Sequence, residues 1–130
     1  MKLILLSIAV VGALGFGWWK LQSAGASKAQ FAKLTGQWQR MDGGYVLAIK
    51  SIAGSGVMDA AYFNPNSIHV AKAEASRDGE SLKVFVELRD VNYPGSTYTL
   101  DYDPAGDQLK GIYYQAVEKQ RFPVAFVRMK

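Results

Sequence analysis

The sequence contains no cysteine and only one histidine, His69. The absence of cysteine excludes a disulfide framework, a thiolate metal site and a cysteine nucleophile. A catalytic triad needs a base beside a nucleophile and an orienting acid, and no spacing around His69 supplies them. We therefore expect His69 to be structural or solvated, and we expect a non-enzymatic protein without a metal or a cofactor.

A concentrated basic face is also missing, although the formal net charge is +4. Four of the 15 basic residues precede residue 34, which leaves 11 basic and 11 acidic residues in the remainder. Binding to a phosphate backbone depends on clustered cations that release counterions. The scattered, balanced charges of residues 34–130 therefore predict no nucleic-acid partner.

Two loops superficially match ligand motifs but lack essential parts. Gly54-Ser55-Gly56 fits a turn and is not followed by the lysine and helix of a phosphate-binding loop. In the acidic stretch Asp101–Asp107, the fifth position of a calcium loop is Ala105 and the twelfth is Ile112, so the bidentate carboxylate is missing. We interpret this stretch as an acidic hairpin turn.

One long hydrophobic run is present, at the N-terminus. Residues 3–19 form 17 uncharged positions between Lys2 and Lys20, about 25 Å as a helix. This run fits either a signal peptide cleaved at Ala24-Gly25-Ala26 or a slightly short membrane anchor. Because Lys20 lies close to the apolar core, we favour an uncleaved anchor with Trp18, Trp19 and Lys20 at the membrane interface.

The anchor reading carries two further expectations. Ala9, Ala13 and Gly17 place small residues on one helix face, the pattern that lets membrane helices pack closely. The lysines after the segment favour a cytoplasmic domain, whereas the short Met-Lys start and the A-x-A sequence favour export. We expect export, with the domain facing the periplasm or the exterior. The predicted organisation is an anchor or signal segment (1–20), a linker (21–33) and one domain (34–130).

The domain is predicted to be all-β. Turn signals such as Asp42-Gly43-Gly44 and Asn64-Pro65-Asn66 recur every eight to twelve residues. The segments between them alternate apolar and polar positions, most clearly where Leu82, Val84, Val86 and Leu88 share one face. Short links between strands force antiparallel neighbours. We expect an eight-stranded antiparallel meander barrel with strands near 36–41, 44–51, 57–63, 67–75, 81–90, 96–103, 108–116 and 121–129.

The first strand carries a resemblance to a known superfamily. Leu34-Thr35-Gly36-Gln37-Trp38 resembles the Gly-x-Trp opening of calycin barrels, which include the lipocalins and the avidin type. In lipocalins an arginine on the last strand packs across this tryptophan, and the resemblance implies that role for Arg128. The chain departs from lipocalins in its shorter length and its lack of the C-terminal helix. The resemblance implies a barrel closed by Trp38 and Arg128.

Two functional hypotheses follow. The first is a non-catalytic accessory protein, anchored in the membrane, whose barrel docks on a larger membrane-protein complex. The second is a lipocalin-like carrier of a small apolar ligand inside the barrel, for which a cavity of several hundred cubic ångströms would be required. The candidate contacts with a partner or a ligand are Tyr93, Pro94, Tyr98, Tyr102 and Tyr114.

Overall fold

The fold is a nearly closed, nine-stranded antiparallel β-barrel, seen in a computed structural model that describes residues 27–130. The proposed anchor and the positions Ala9, Ala13, Gly17, Trp18, Trp19 and Lys20 lie outside the described residues. The strands are β1 (Gly36–Arg40), β2 (Val46–Ile52), β3 (Met58–Phe63), β4 (Ser67–Ile68), β5 (Val70–Asp78), β6 (Ser81–Asp90), β7 (Tyr93–Asp103), β8 (Gln108–Gln115) and β9 (Gln120–Arg128).

The first and last strands pair, as in a meander closed on itself. Trp38 lies opposite Arg128, and the order around the sheet is β4-β3-β2-β1-β9-β8-β7-β6-β5. This confirms an all-β antiparallel barrel. The expected count of eight strands is wrong, because the predicted strand 67–75 breaks at His69 into β4 and β5, the second of which continues to Asp78. The break lets one stretch of chain pair first with β3 and then with β6.

The seam between β3 and β5 is the place where closure is incomplete. It is held at one end by the Val57–Glu74 bridge and by the Ala75 N–H donating to the Gly56 carbonyl at 2.6 Å. At the other end β4 pairs with Tyr62 and Phe63. Between these points the strands separate around a slit of about 380 Å³.

The alternating pattern of β6 is confirmed, since Leu82, Val84, Val86 and Leu88 are all buried. Tyr98 and Leu100 of β7 and Val124 and Phe126 of β9 are buried as well. Phe122 occupies the same side of the alternation as Val124 and Phe126, yet it is 40% exposed, because it lies where β9 begins at the rim of the barrel. The core is therefore continuous along the barrel but thins towards one end.

That end, the mouth, is formed by the loops after β1, β3, β6 and β8. The opposite end, the floor, is covered by residues 27–31, which are helical, and by the 3-10 turn Ala32–Leu34. Phe31 is 3% exposed and Leu34 is fully buried. Phe31, which lies within the stretch 21–33, therefore supplies apolar surface to the core.

None of the helical structure within residues 27–130 is long and apolar enough to cross a membrane.

Candidate functional site

The floor of the barrel contains Trp38 and Arg128, the two residues that the resemblance singles out. Trp38 is fully buried, and its Nε1–H donates to the Leu34 carbonyl at 3.0 Å. The guanidinium carbon of Arg128 lies 4.3 Å from the Trp38 ring, a cation–π distance. Gly36 has φ of +133°, and a Cβ there would lie 2.7 Å from Arg128 Nη1. The glycine of the Gly-x-Trp sequence is therefore favoured because any larger residue would have a strained backbone and would crowd Arg128.

Arg128 also ties the incoming chain to the barrel. Its Nη1 and Nη2 groups donate to the Thr35 and Lys33 carbonyls at 2.6 and 2.7 Å. A two-point contact with Asp107, at 2.8 and 3.0 Å, holds the other side of the guanidinium. This hydrogen bonding from Arg128 lowers the pKa of Asp107 below its ordinary value. The floor is therefore sealed by an arginine with its donors directed at the protein itself.

The mouth opens into a cavity of about 820 Å³. This volume lies within the range of small-molecule sites, ~300–1,000 Å³. Aromatic and planar polar side chains from the barrel wall and from three mouth loops form most of the lining: Arg40, Asp42, Tyr45, Asn64, Asn66, Asn92, Tyr93, Tyr113, Gln115 and Phe122. Ile68, Val91 and Pro123 complete it. Its two charged members, Arg40 and Asp42, have opposite signs, so the lining has no net formal charge.

Arg40 forms the base of this cavity. Its side chain is 10% exposed, and its Nε and Nη2 groups donate to Asp42 at 2.6 and 2.8 Å. The guanidinium carbon lies 3.9 Å from the Tyr45 ring centre. Burial is the largest single influence on the pKa of Arg40 and lowers it, but the hydrogen bonds and electrostatic interactions with Asp42 and Tyr98 together outweigh burial, and the pKa lies above its ordinary value. Arg40 therefore stays charged.

A hydrogen-bonded tyrosine pair supports Arg40 from below. Arg40 Nη1 donates to the Tyr98 hydroxyl at 2.9 Å, and the hydroxyls of Tyr98 and Tyr62 lie 2.6 Å apart. The Tyr98 ring stacks on Tyr113 with ring centres 4.5 Å apart. Burial raises the pKa of Tyr98 to about 12. The base of the cavity is thus held in one arrangement by packed rings and short hydrogen bonds.

Two of the five N–H groups of Arg40 are not used in the bonds to Asp42 and Tyr98. A guanidinium has five N–H groups, and three of them make the bonds to Asp42 and Tyr98. Within residues 27–130 no acceptor engages the other two. Every buried side-chain nitrogen and oxygen atom in this part of the chain nevertheless has at least one partner. The cavity is therefore formed without strain from unpaired groups, yet it retains donor capacity at its base.

No family model, curated protein or solved structure matches this chain. The site must therefore be interpreted from its own geometry.

Of the five candidate contact residues, only Tyr93 lines the cavity. Its hydroxyl accepts from Asn64 Nδ2 at 2.5 Å. Tyr98 lies beneath the cavity, fully buried, and Tyr102 lies at the floor, edge-on to Trp38 and donating to Asp107. Pro94 is exposed on β7, and Tyr114 lies on the outer wall, 5.2 Å from the Arg121 guanidinium. The structure therefore does not bring the five together.

The residues that the sequence analysis missed are Arg40, Asp42, Tyr45 and the amides of the mouth loops. Arg40 carried a signal, since it lies two positions after Trp38 and so faces the same side of β1. An arginine on an inward face needs a partner, and Asp42 follows two positions later. The amides gave no sequence signal, because Asn64 and Asn66 are indistinguishable from ordinary turn residues.

The contacts recorded for His69 and for the acidic loop are with neighbouring strands of the barrel. The His69 backbone N–H donates to Asp90 Oδ2 at 2.7 Å, and its carbonyl accepts from the Arg89 N–H. Asp101 pairs with Lys83, and Asp103 pairs with Lys110. No cluster of three or more histidine, aspartate or glutamate side chains suited to a metal ion occurs within residues 27–130.

Proposed function

We propose that this chain is a non-catalytic binding protein, held at a membrane by its N-terminal segment, whose barrel takes a small polar ligand into the mouth cavity. The observation that carries the proposal is the 820 Å³ cavity with Arg40 at its base. The volume is large enough for a small ligand, but the cavity lies at the mouth and not inside the barrel, where Tyr62, Tyr98 and Phe126 fill the interior. The lining favours a polar ligand over the apolar one that the aromatic content alone suggests.

The arrangement beneath the cavity supports binding because it is already ordered. Arg40 is held in place by Asp42, Tyr45 and Tyr98. A ligand that accepts hydrogen bonds from its two remaining N–H groups therefore loses little free energy to ordering this side chain. Tyr93 and Asn64 are likewise joined across the rim. A preformed polar site of this kind is typical of ligand recognition.

Native mass spectrometry of the full-length protein tests this proposal. The protein is isolated from its own host in a detergent without a sugar headgroup, and compounds released on denaturation are identified. We expect a bound compound in the wild type and its loss in Arg40→Met. Arg121→Met is the matched control, because Arg121 also lies over a tyrosine but on the outer wall. Ligand-free protein in all three preparations would contradict the proposal.

A second candidate function is docking on a larger membrane-protein complex, as an accessory subunit. The observation that favours it is the exposure of apolar side chains on the mouth loops: Met41 is 63%, Val91 79% and Val117 58% exposed. Apolar residues grouped at one end of a domain are typical of an interaction surface.

Gentle-detergent purification of the tagged full-length protein tests docking. We expect an uncleaved Met1 and a stoichiometric membrane-protein partner that is lost when Met41, Val91 and Val117 are all replaced by serine. A soluble chain that begins near Ser27 and purifies alone would contradict both the anchor and the docking hypothesis.

A further inference from the structure

The chemistry of the cavity lining narrows the class of ligand. The opposite charges of Arg40 and Asp42 are joined to each other at 2.6 and 2.8 Å, so the lining has no unbalanced charge to attract an ion. The lining also contains neutral hydrogen-bonding groups: the amides of Asn64, Asn66, Asn92 and Gln115 and the phenols of Tyr45, Tyr93 and Tyr113. Asn64 and Tyr93 bond each other, and the Gln115 amide oxygen accepts from the Glu118 N–H, so these groups are already positioned. The site therefore favours an uncharged ligand with many polar groups.

Amide side chains each present donors and an acceptor side by side. Neighbouring hydroxyls of a sugar ring likewise present hydrogen-bond donors and acceptors side by side, so they can pair with an amide. Aromatic rings complement the other property of a sugar, its apolar C–H faces, and here Tyr45, Tyr93, Tyr113 and Phe122 supply the rings. The lining also includes the apolar side chains of Ile68, Val91 and Pro123, but side chains that can hydrogen-bond outnumber the apolar ones, which favours a polar molecule over a lipid chain.

The position of the mouth favours the end of a chain over a compact metabolite. Three loops rise around the cavity and leave it open to solvent on one side, so a longer molecule can insert its end and continue outside. The described chain enters at the floor, where Phe31 and Leu34 are buried, and the mouth points the opposite way. Residue 27, where the described part of the chain begins, therefore lies at the end of the barrel opposite the mouth.

We propose that the mouth cavity binds the end of an uncharged saccharide chain, with Arg40 donating to ring or hydroxyl oxygens and the tyrosines stacking on the sugar rings. This proposal rests on the proposed binding function. The same sugar end could belong to a free polysaccharide or to a glycolipid headgroup, and both sources share the chemistry that the cavity recognises.

The test uses full-length protein in phospholipid nanodiscs, whose lipids carry no sugar. Binding to an array of immobilised neutral and acidic oligosaccharides is measured first. The best binder is then titrated into ¹⁵N-labelled protein, free in solution and as a glycolipid in vesicles. We expect a neutral saccharide to shift the side-chain amide signals of Asn64, Asn66, Asn92 and Gln115. Affinity should fall at least tenfold in Arg40→Met and stay unchanged in Arg121→Met.

Three outcomes would overturn the saccharide proposal. These are binding to acidic glycans alone, amide shifts that persist in Arg40→Met, and the absence of any glycan binding. If mass spectrometry then identifies a non-saccharide compound that depends on Arg40, the proposed binding function stands and only the saccharide class fails. If neither experiment finds a ligand, both fail.

Discussion

The two ends of the barrel use the same set of residue types for opposite purposes. At the floor, Arg128 lies over Trp38 and is held by Asp107; at the mouth, Arg40 lies over Tyr45 and is held by Asp42. The difference lies in the remaining donors. Those of Arg128 meet the carbonyls of Thr35 and Lys33 in a segment that crosses the floor. Among residues 27–130 no segment crosses the mouth, and Arg40, which lines the cavity there, has two N–H groups beyond those that bond Asp42 and Tyr98.

This comparison indicates that an arginine–aromatic–carboxylate group does not define a role by itself. What decides its role is whether backbone carbonyls reach it. At the floor they do, and the arginine stabilises the fold. At the mouth they do not, and we infer that the arginine serves a ligand. The comparison predicts that stability depends mainly on the floor and binding mainly on the mouth.

The largest expected effect is that of Trp38→Ala. Removing a fully buried tryptophan leaves a large cavity at the floor and should lower the free energy of unfolding by about 3–5 kcal/mol. Urea unfolding followed by circular dichroism measures this. Phe122→Ala, at the 40% exposed rim, is the mouth counterpart and should cost under about 1 kcal/mol. Equal losses at the two ends would break the comparison.

Arg128→Met and Arg40→Met sharpen the comparison with matched substitutions. Arg128→Met deprives two backbone carbonyls and Asp107 of their donor, which should cost about 1.5–3 kcal/mol. Arg40→Met leaves Asp42 59% exposed to water and leaves Tyr98 paired with Tyr62, so we expect a cost under about 1 kcal/mol. Urea unfolding ranks the two, and the reverse order would refute our assignment of roles.

Gly36→Ala should cost about 1–2 kcal/mol. A side chain there is strained at a φ of +133°, and the new Cβ would lie 2.7 Å from Arg128 Nη1. Gly44→Ala is the control in a mouth loop, where no atom lies within 4 Å of the added Cβ. We expect its unfolding midpoint to match that of the wild type within error. A loss at Gly44 comparable to that at Gly36 would show that the mouth loop is more constrained than we infer.

The smallest expected effect is the pH dependence contributed by Asp107. Because Arg128 holds the pKa of Asp107 below its ordinary value of 3.8, the ion pair stabilises the fold above that pH and is lost as the pH falls through the lowered value. Asp107→Asn should therefore be less stable than the wild type at pH 7, with the difference shrinking below pH 3.8. The side chain is 46% exposed, so solvent screening keeps this effect small. A difference that grows on acidification would contradict the assignment.

Much of the fold could be predicted from local patterns, but the candidate site could not. The alternation of Leu82 to Leu88 fixes which face of β6 is buried, since adjacent side chains of a strand point to opposite faces. The break at His69 has no local turn signal, since residues 67–75 contain no glycine, proline or asparagine; pairing with β3 and then with β6 requires the bend. The cavity was missed because its amides come from loops that are far apart in sequence.

The sequence by itself determined the strand periodicity, the turns, and the absence of cysteine chemistry and of a basic face, because these are properties of neighbouring residues. Tertiary structure alone decided which end of the barrel is sealed and which is open. Arg40 meets Tyr98 across 58 positions, and Arg128 meets Thr35 across 93. Contacts of that separation exist only once β1 has paired with β9, so no local pattern could tell a sealing arginine from one that faces a cavity.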